Sequence, residues 1–326
     1  MRILLTTVAC ERYWSWLARP GVEPITVGQD GGLALSDGTT VDHEDADPEV
    51  AWGTSDLYLA GAPLRPFFEL VSSCITIRWF QSAGAGFDGP VFARLAGRGV
   101  RISNAHANSI PIAEFIMRSV LDHFQRADLW RGAQSENRWS KHDYREVFGS
   151  TWLILGLGGI GSAVAERARA FGATTIGCRR RPSASDPTDR TVIPDQLPGV
   201  IGLADVVVLA LPANPDTARF VDAPFLAAMR PGSILVNVGR GSLVDEAALL
   251  TALDRGVPER AVLDVFATEP LPAGDPLWRH PAVVATPHNA AGGVGRYERQ
   301  AQLFAENLDR YLSGEALLSD ITALVT

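Results

Sequence analysis

The sequence predicts an α/β protein with doubly wound parallel sheets in two domains, and three observations carry that expectation. Short apolar runs recur along the second half of the chain, at 205–211, 233–238, 260–265 and 282–286. Strands apolar on both faces and separated by helical segments form a parallel sheet covered on both sides. The stretch 151–179, TWLILGLGGIGSAVAERARAFGATTIGCR, sets a strand, a glycine-rich turn, a helix and a second strand in succession. The length of 326 residues accommodates two domains, each with its own core.

Composition narrows the classes. Hydrophobic residues make up 46% and charged residues 20%, as in an ordinary soluble globular chain. A net charge of −8 leaves no basic excess for wholesale nucleic-acid binding. Cys10, Cys74 and Cys178 lie far apart with no C-x-x-C pair, so neither a metal site nor a disulfide framework is expected, and a reduced cytoplasmic setting is. Glu11 and Arg12 interrupt the start before a signal-peptide core forms. No apolar run approaches the length of a membrane span.

Taken in order, residues 2–8 read as a strand, 49–52 as a short strand ending in a loop, and 75–81 as a strand that runs into SAGAGFD at 82–88. That turn lacks the third glycine of a dinucleotide fingerprint. It fits an anion nest and a ligand-free tight turn equally. Residues 111–126 carry apolar side chains at helical spacing behind Pro111 as the first helical position, long enough to bridge two domains. The fingerprint follows, with Gly156, Gly158 and Gly161 in G-x-G-x-x-G spacing. These glycines serve the tight turn, close approach to a pyrophosphate, and helix–strand packing, while the helix N-terminus faces the phosphate. The last element, 296–312, reads as an amphipathic helix returning to the first domain.

In a doubly wound sheet, ligands bind beyond the carboxyl ends of the strands. The residues following those ends are therefore candidates: the glycine loop, Arg179-Arg180-Arg181, Pro212, Arg240 in VNVGRG, Asp264 and Glu269 in LDVFATEP, and His288 in ATPHNAA. An arginine there often caps a helix, and a histidine after proline often completes a turn. Arginine, carboxylate and histidine together on one rim suit reduction of a 2-keto acid. Arginine grips a carboxylate with a planar fork, histidine gives or takes a proton near neutral pH, and a carboxylate fixes its tautomer.

The glycine loop, VNVGRG, LDVFATEP and TPHNAA, in this order, resemble the D-isomer-specific 2-hydroxyacid dehydrogenases, which include glyoxylate/hydroxypyruvate reductases and phosphoglycerate dehydrogenases. The resemblance implies that Arg240 binds substrate, that His288 is the acid/base and that Glu269 pairs with it. It further implies carboxylate binding by the backbone of Ala85 and Gly86. Cofactor contacts are implied for Gly156, Gly158, Gly159, Ile160, Gly161, Arg179, Arg180, Pro212, Thr217, Val238, Gly239 and Asp264, the last facing the nicotinamide carboxamide. Trp52 stands where glyoxylate/hydroxypyruvate reductases place an aromatic over the substrate, and a core tryptophan fits equally well. Two Rossmann-like domains are implied, a discontinuous substrate domain at 1–103 and 289–326 and a nucleotide domain at 104–288, with the first sheet completed by the late segment. A homodimer through the nucleotide domains is implied too, with Ile112, Phe115 and Ile116 of the 111–126 helix in the interface.

Two positions depart from the family pattern. Residue 159, often larger, is glycine. The ribose-binding position, 179 − 156 = 23 residues after the first glycine, holds Arg179 instead of an acid, which favours a 2′-phosphate and hence NADP(H), with NAD(H) possible. The expected activity is hydride transfer between NADP(H) and a small 2-keto/2-hydroxy acid of the glyoxylate or hydroxypyruvate kind, giving the D-hydroxy acid. One rival is a nicotinamide-sensing, corepressor-like binding protein on the same fold, against which the intact Arg240, Glu269 and His288 argue. The other is a sister dehydrogenase of an inorganic or one-carbon anion, which would carry additional polar pocket residues.

Overall fold

Two seven-stranded sheets organise the chain, each within its own unit: Met1–Asn108 with Val294–Thr326, and Ser109–Gly293. The structure is a computed structural model, and it describes every residue except Ala85, Asp88 and Thr326.

In the first unit the strands are β1 (Arg2–Thr6), β2 (Glu23–Val27), β3 (Leu33–Leu35), β4 (Thr40–Val41), β5 (Val50–Trp52), β6 (Trp79–Ser82) and β7 (Arg101–Asn104). Their order is β4-β3-β2-β1-β5-β6-β7. Five run parallel, while β3 and β4 add an antiparallel hairpin at one edge. That hairpin departs from the expected all-parallel sheet, since strands of two and three residues are too short to show a period. The first strand stops earlier than 2–8 because the Thr6 side chain accepts the Ala9 N–H and caps the helix Thr7–Leu17. The strand read at 75–81 begins only at Trp79, because Ile75 lies exposed in a turn. Among the described residues, the late segment supplies no strand; it adds an isolated bridge between Ser103 and Asp320. Its contribution is the helix Arg296–Leu312, whose Phe304 stacks between Trp52 at 4.5 Å and Trp79 at 5.0 Å. The same helix pins polar groups: Asn307 donates to Gln81 (2.8 Å), and Gln300 donates to Ser55 (2.6 Å) and to the Ala83 carbonyl (2.9 Å).

In the second unit the strands are β8 (Thr151–Leu155), β9 (Thr174–Cys178), β10 (Arg190–Val192), β11 (Val206–Leu209), β12 (Ile234–Asn237), β13 (Arg260–Leu263) and β14 (Val283–Ala285). The order is β10-β9-β8-β11-β12-β13-β14, parallel throughout. Alternate residues of one strand enter different cores. Leu153 and Leu155 face one, and Trp152 and Ile154 the other, so both faces are dry. The helix Ser109–Phe124 starts two residues before Pro111, and it packs its Ile112, Ile116 and Val120 into the core that holds Val164 of the helix Gly159–Ala170. Ile112 and Ile116 are thus interior side chains rather than a free apolar face, because the helix needs that stripe to cover the sheet. Among the described residues, no helix is long and apolar enough to cross a membrane.

Candidate active site

The strands of the second sheet end in register. Cys178 pairs with Leu155, Leu155 with Leu209, Leu209 with Asn237, Asn237 with Leu263, and Leu263 with Ala285. The ladder continues one residue further: the N–H groups of Gly156, Ala210, Val238, Asp264 and Thr286 donate to the carbonyls of Cys178, Leu155, Leu209, Asn237 and Leu263. Every functional candidate of this unit therefore leaves the sheet along one edge.

The glycine turn is shaped by contacts that no larger residue survives. Gly156 has φ +96°, and a Cβ there would meet the Ala210 oxygen at 2.6 Å. A Cβ on Gly161 would lie 1.9 Å from the Gly156 oxygen. Gly158, by contrast, is exposed and faces open space. It caps the helix Gly159–Ala170, with the Ser162 N–H bonded to its carbonyl at 2.9 Å, so the N–H groups of Gly159 and Ile160 have no acceptor within the helix. A bare glycine beside free N–H groups at the positive end of a helix fits a dinucleotide pyrophosphate.

At the other end of the edge, three turns are locked together. Asn237 folds the end of β12, accepting from Gly239 N–H (3.1 Å) and donating to the Arg240 carbonyl (2.9 Å). Arg240 Nη1 donates to the Gly239 carbonyl at 2.8 Å. Gly241 lies so close to the Phe266–Ala267 peptide that a Cβ would fall 1.8 Å from the Phe266 carbonyl carbon, which seats the Arg240 turn on the one that carries Glu269. Glu269 accepts the Phe266 N–H on Oε1 (2.9 Å), and its Oε2 lies 2.8 Å from His288 Nδ1. With Nδ1–H donating to that carboxylate, Nε2 is the nitrogen left to exchange a proton. Glu246 holds the Ala267 N–H at 2.8 Å, and burial pushes its carboxyl above the usual range.

His288 adopts φ +50°, a left-handed conformation costly for a residue with a Cβ. Asp264 maintains it. Only 2% exposed, its carboxylate accepts from Thr286 Oγ1 (2.6 Å), Asn289 N–H (2.8 Å) and Ala290 N–H (2.9 Å), while its carbonyl accepts the His288 N–H (2.8 Å). Asp264 therefore braces the histidine turn, a task that its expected role toward a carboxamide had not included. Asn237 and Thr286 were overlooked in the sequence although they stand inside the VNVGRG and ATPHNAA motifs. Each is a short polar residue at a strand end, the type that bonds back to nearby backbone.

The remaining candidates divide. Thr217 donates to the Pro212 carbonyl (2.8 Å) and closes the loop after β11. Val238 is buried, and a Cβ on Gly239 would sit 2.8 Å from the Leu211 oxygen, so these two pack the edge. Arg180 is exposed, and Arg179 pairs with Asp186 at 2.6 Å. In the first unit, Trp52 is 1% exposed and stacked on Phe304, which makes it a core residue and removes it from any substrate surface. Gly86 is half-buried in the glycine-rich turn, whose Ala83 carbonyl Gln300 holds. Ala85 lies outside the described residues.

A family model described as D-isomer specific 2-hydroxyacid dehydrogenase, NAD binding domain, matches residues 117–290. The chain is 33% identical over 250 residues to the D-3-phosphoglycerate dehydrogenase of Mycobacterium tuberculosis (strain ATCC 25618 / H37Rv), covering 76% of this chain and 47% of that protein. It is 35% identical over 178 residues to glyoxylate/hydroxypyruvate reductase A of Serratia proteamaculans, covering 55% and 57%. The chain thus spans about half the length of these curated relatives. A solved D-isomer specific 2-hydroxyacid dehydrogenase from Xanthobacter autotrophicus, in complex with NADPH and MES, is similar with a TM-score of 0.76 at 28% identity, over 100% of this chain and 99% of that one. Family model, relatives and edge geometry agree, and the chain belongs to the D-isomer-specific 2-hydroxyacid dehydrogenase family.

Proposed function

We propose that the protein is a dehydrogenase of small 2-hydroxy acids, using NADP(H) or NAD(H), that works chiefly as a reductase of glyoxylate- or hydroxypyruvate-type keto acids and yields the D-hydroxy acid. The observation that carries this reading is the His288–Glu269 pair at 2.8 Å, on the same edge as Arg240 and the glycine cradle. The relative named glyoxylate/hydroxypyruvate reductase and the neighbour holding NADPH support the substrate class and the cofactor.

A bound nicotinamide supplies the hydride, and the chain's own residues manage charge and proton. The planar fork of Arg240 holds the substrate carboxylate and draws electron density toward the carbonyl oxygen. His288 gives its Nε2 proton to that oxygen as the hydroxyl forms, and Glu269 stabilises the imidazolium beforehand. In the oxidative direction His288 takes the proton back. Glyoxylate, hydroxypyruvate, pyruvate and 3-phosphohydroxypyruvate, each assayed with NADPH and NADH, form the direct test. Reduction of none of them would overturn the reading.

The chain is further expected to assemble as a homodimer through this unit. Because Ile112 and Ile116 are interior, the apolar surface comes instead from Trp130, Tyr144, Phe148 and Trp139, the last 94% exposed. Trp130 lies 5.7 Å from Tyr144, so part of this surface is one cluster.

A further inference from the structure

The loop between β9 and β10 carries an arrangement that neither the fingerprint nor the catalytic pair uses. Arg179, at the ribose-binding position, donates from Nη1 to Asp186 Oδ1 at 2.6 Å. The other oxygen of Asp186 accepts the Ser183 N–H at 2.9 Å, and the Asp186 N–H returns to the Ser183 carbonyl at 3.1 Å. Ser183 and Ser185 hydroxyls bond at 2.9 Å across the same turn. The Asp186 side chain is 4% exposed against 38% for Arg179, so the anion is the fixed partner and the cation the one that reaches outward. Arg180 and Arg181 are exposed and form no ion pair among the described residues.

We propose that Asp186 sets the cofactor selectivity of this chain, neutralising Arg179 so that the site takes a dinucleotide with a free ribose hydroxyl alongside one with a 2′-phosphate. The inference rests on the dehydrogenase reading above. Burial by itself would push the Asp186 carboxyl upward, but the Ser183 N–H, Arg179 and Thr191 outweigh it and hold the carboxyl below the usual range. The group is therefore an anion at neutral pH. A 2′-phosphate approaching Arg179 meets a cation whose charge is already matched and a fixed negative charge behind it, and like charges at this range repel. A neutral ribose hydroxyl feels little of either. Three arginines in sequence overstate the cationic character of the site, because Asp186 folds back seven positions later.

The test is the dissociation constant of NADPH and of NADH, read by nicotinamide fluorescence, in the parent, Asp186→Asn, Arg179→Met and the double variant. Asp186→Asn keeps the size of the side chain and an acceptor for Ser183 while removing the charge. NADPH should then bind about tenfold more tightly and NADH as before, the scale of one charge-assisted contact. Adenosine 2′,5′-bisphosphate should gain as NADPH does, and adenosine 5′-monophosphate should not. Adding Arg179→Met should erase the gain. If melting shows that asparagine disturbs the turn, Asp186→Ser repeats the measurement. Weaker NADPH binding in Asp186→Asn would make Asp186 a support for Arg179 and overturn the proposal, as would equal tightening of both dinucleotides. A parent that binds neither dinucleotide would instead reject the dehydrogenase reading itself.

Discussion

His288 is held by chemistry on one side and by backbone on the other, and the two can be separated experimentally. Its Nδ1 meets Glu269 at 2.8 Å, while Asp264 clamps the turn that keeps it at φ +50°. His288→Ala should lower kcat for reduction by roughly a hundredfold to ten-thousandfold, the usual worth of positioned acid–base catalysis. The sign of the pH response follows from the proton: reduction consumes one, so its rate should fall as pH rises, and oxidation releases one, so its rate should fall as pH drops. A profile of kcat/KM that kept its alkaline limb in His288→Ala would place the donor elsewhere. Asp264→Asn should reduce kcat with little change in the dissociation constant of NADPH, because its oxygens brace Thr286, Asn289 and Ala290. A lost cofactor affinity with intact kcat would return Asp264 to the carboxamide. Cys178 offers a quieter check: burial pushes its thiol up to about 11, so at neutral pH it should resist alkylation that mass spectrometry would report. That Arg240, Glu269 and His288 gather on one edge was legible in the sequence because each follows the end of an apolar strand. Trp52 was not, since its burial depends on Phe304 from the far end of the chain.

Among the elements, the glycine turn gives the sharpest contrast. A methyl on Gly161 collides with backbone at 1.9 Å, and nothing flexible is present to yield. Gly161→Ala should therefore destabilise the unit by about 1–3 kcal/mol, seen as a lower thermal midpoint with or without ligand. Gly158→Ala meets open space, so it should melt like the parent yet bind dinucleotide less well. Equal melting of both variants would show that the turn relaxes in a way its geometry does not suggest. The second sheet was readable except at one edge, because β8, β11, β12 and β13 are almost wholly apolar and buried, whereas β10 (Arg190–Val192) is short, half-polar and exposed at its start. The β3–β4 hairpin was not, because five residues in two strands leave only Gly31-Gly32 and Asp37-Gly38 as signals, and glycine turns alone do not specify pairing. Ile112 and Ile116 were read as interface residues for a different reason: a single amphipathic stripe looks the same whether it covers a sheet, as here, or a second subunit.

At the scale of the whole molecule, assembly is the open property most easily measured. Light scattering at micromolar concentration should give twice the 35.0 kDa of one chain, and Trp139→Ser together with Phe148→Ser should shift the mass toward the monomer. A parent at 35.0 kDa would discard the dimer. That the late segment returns to the first unit as a helix over 296–312 was legible in the sequence, but that it adds no strand among the described residues was not, because Phe304, Gln300 and Asn307 find their partners only in the folded sheet. The registered edge of the second sheet has a consequence for how such a protein changes over time. From β9 to β14 there are five strand spacings, about 24 Å at the usual separation. No small acid reaches from His288 to Arg179, so each end answers to a different part of what is bound. Sites that far apart combine additively. Asp186→Asn with His288→Ala should show the sum of the two single effects on NADPH binding, and a lineage carrying this sheet is free to exchange its redox pool without relearning its acid.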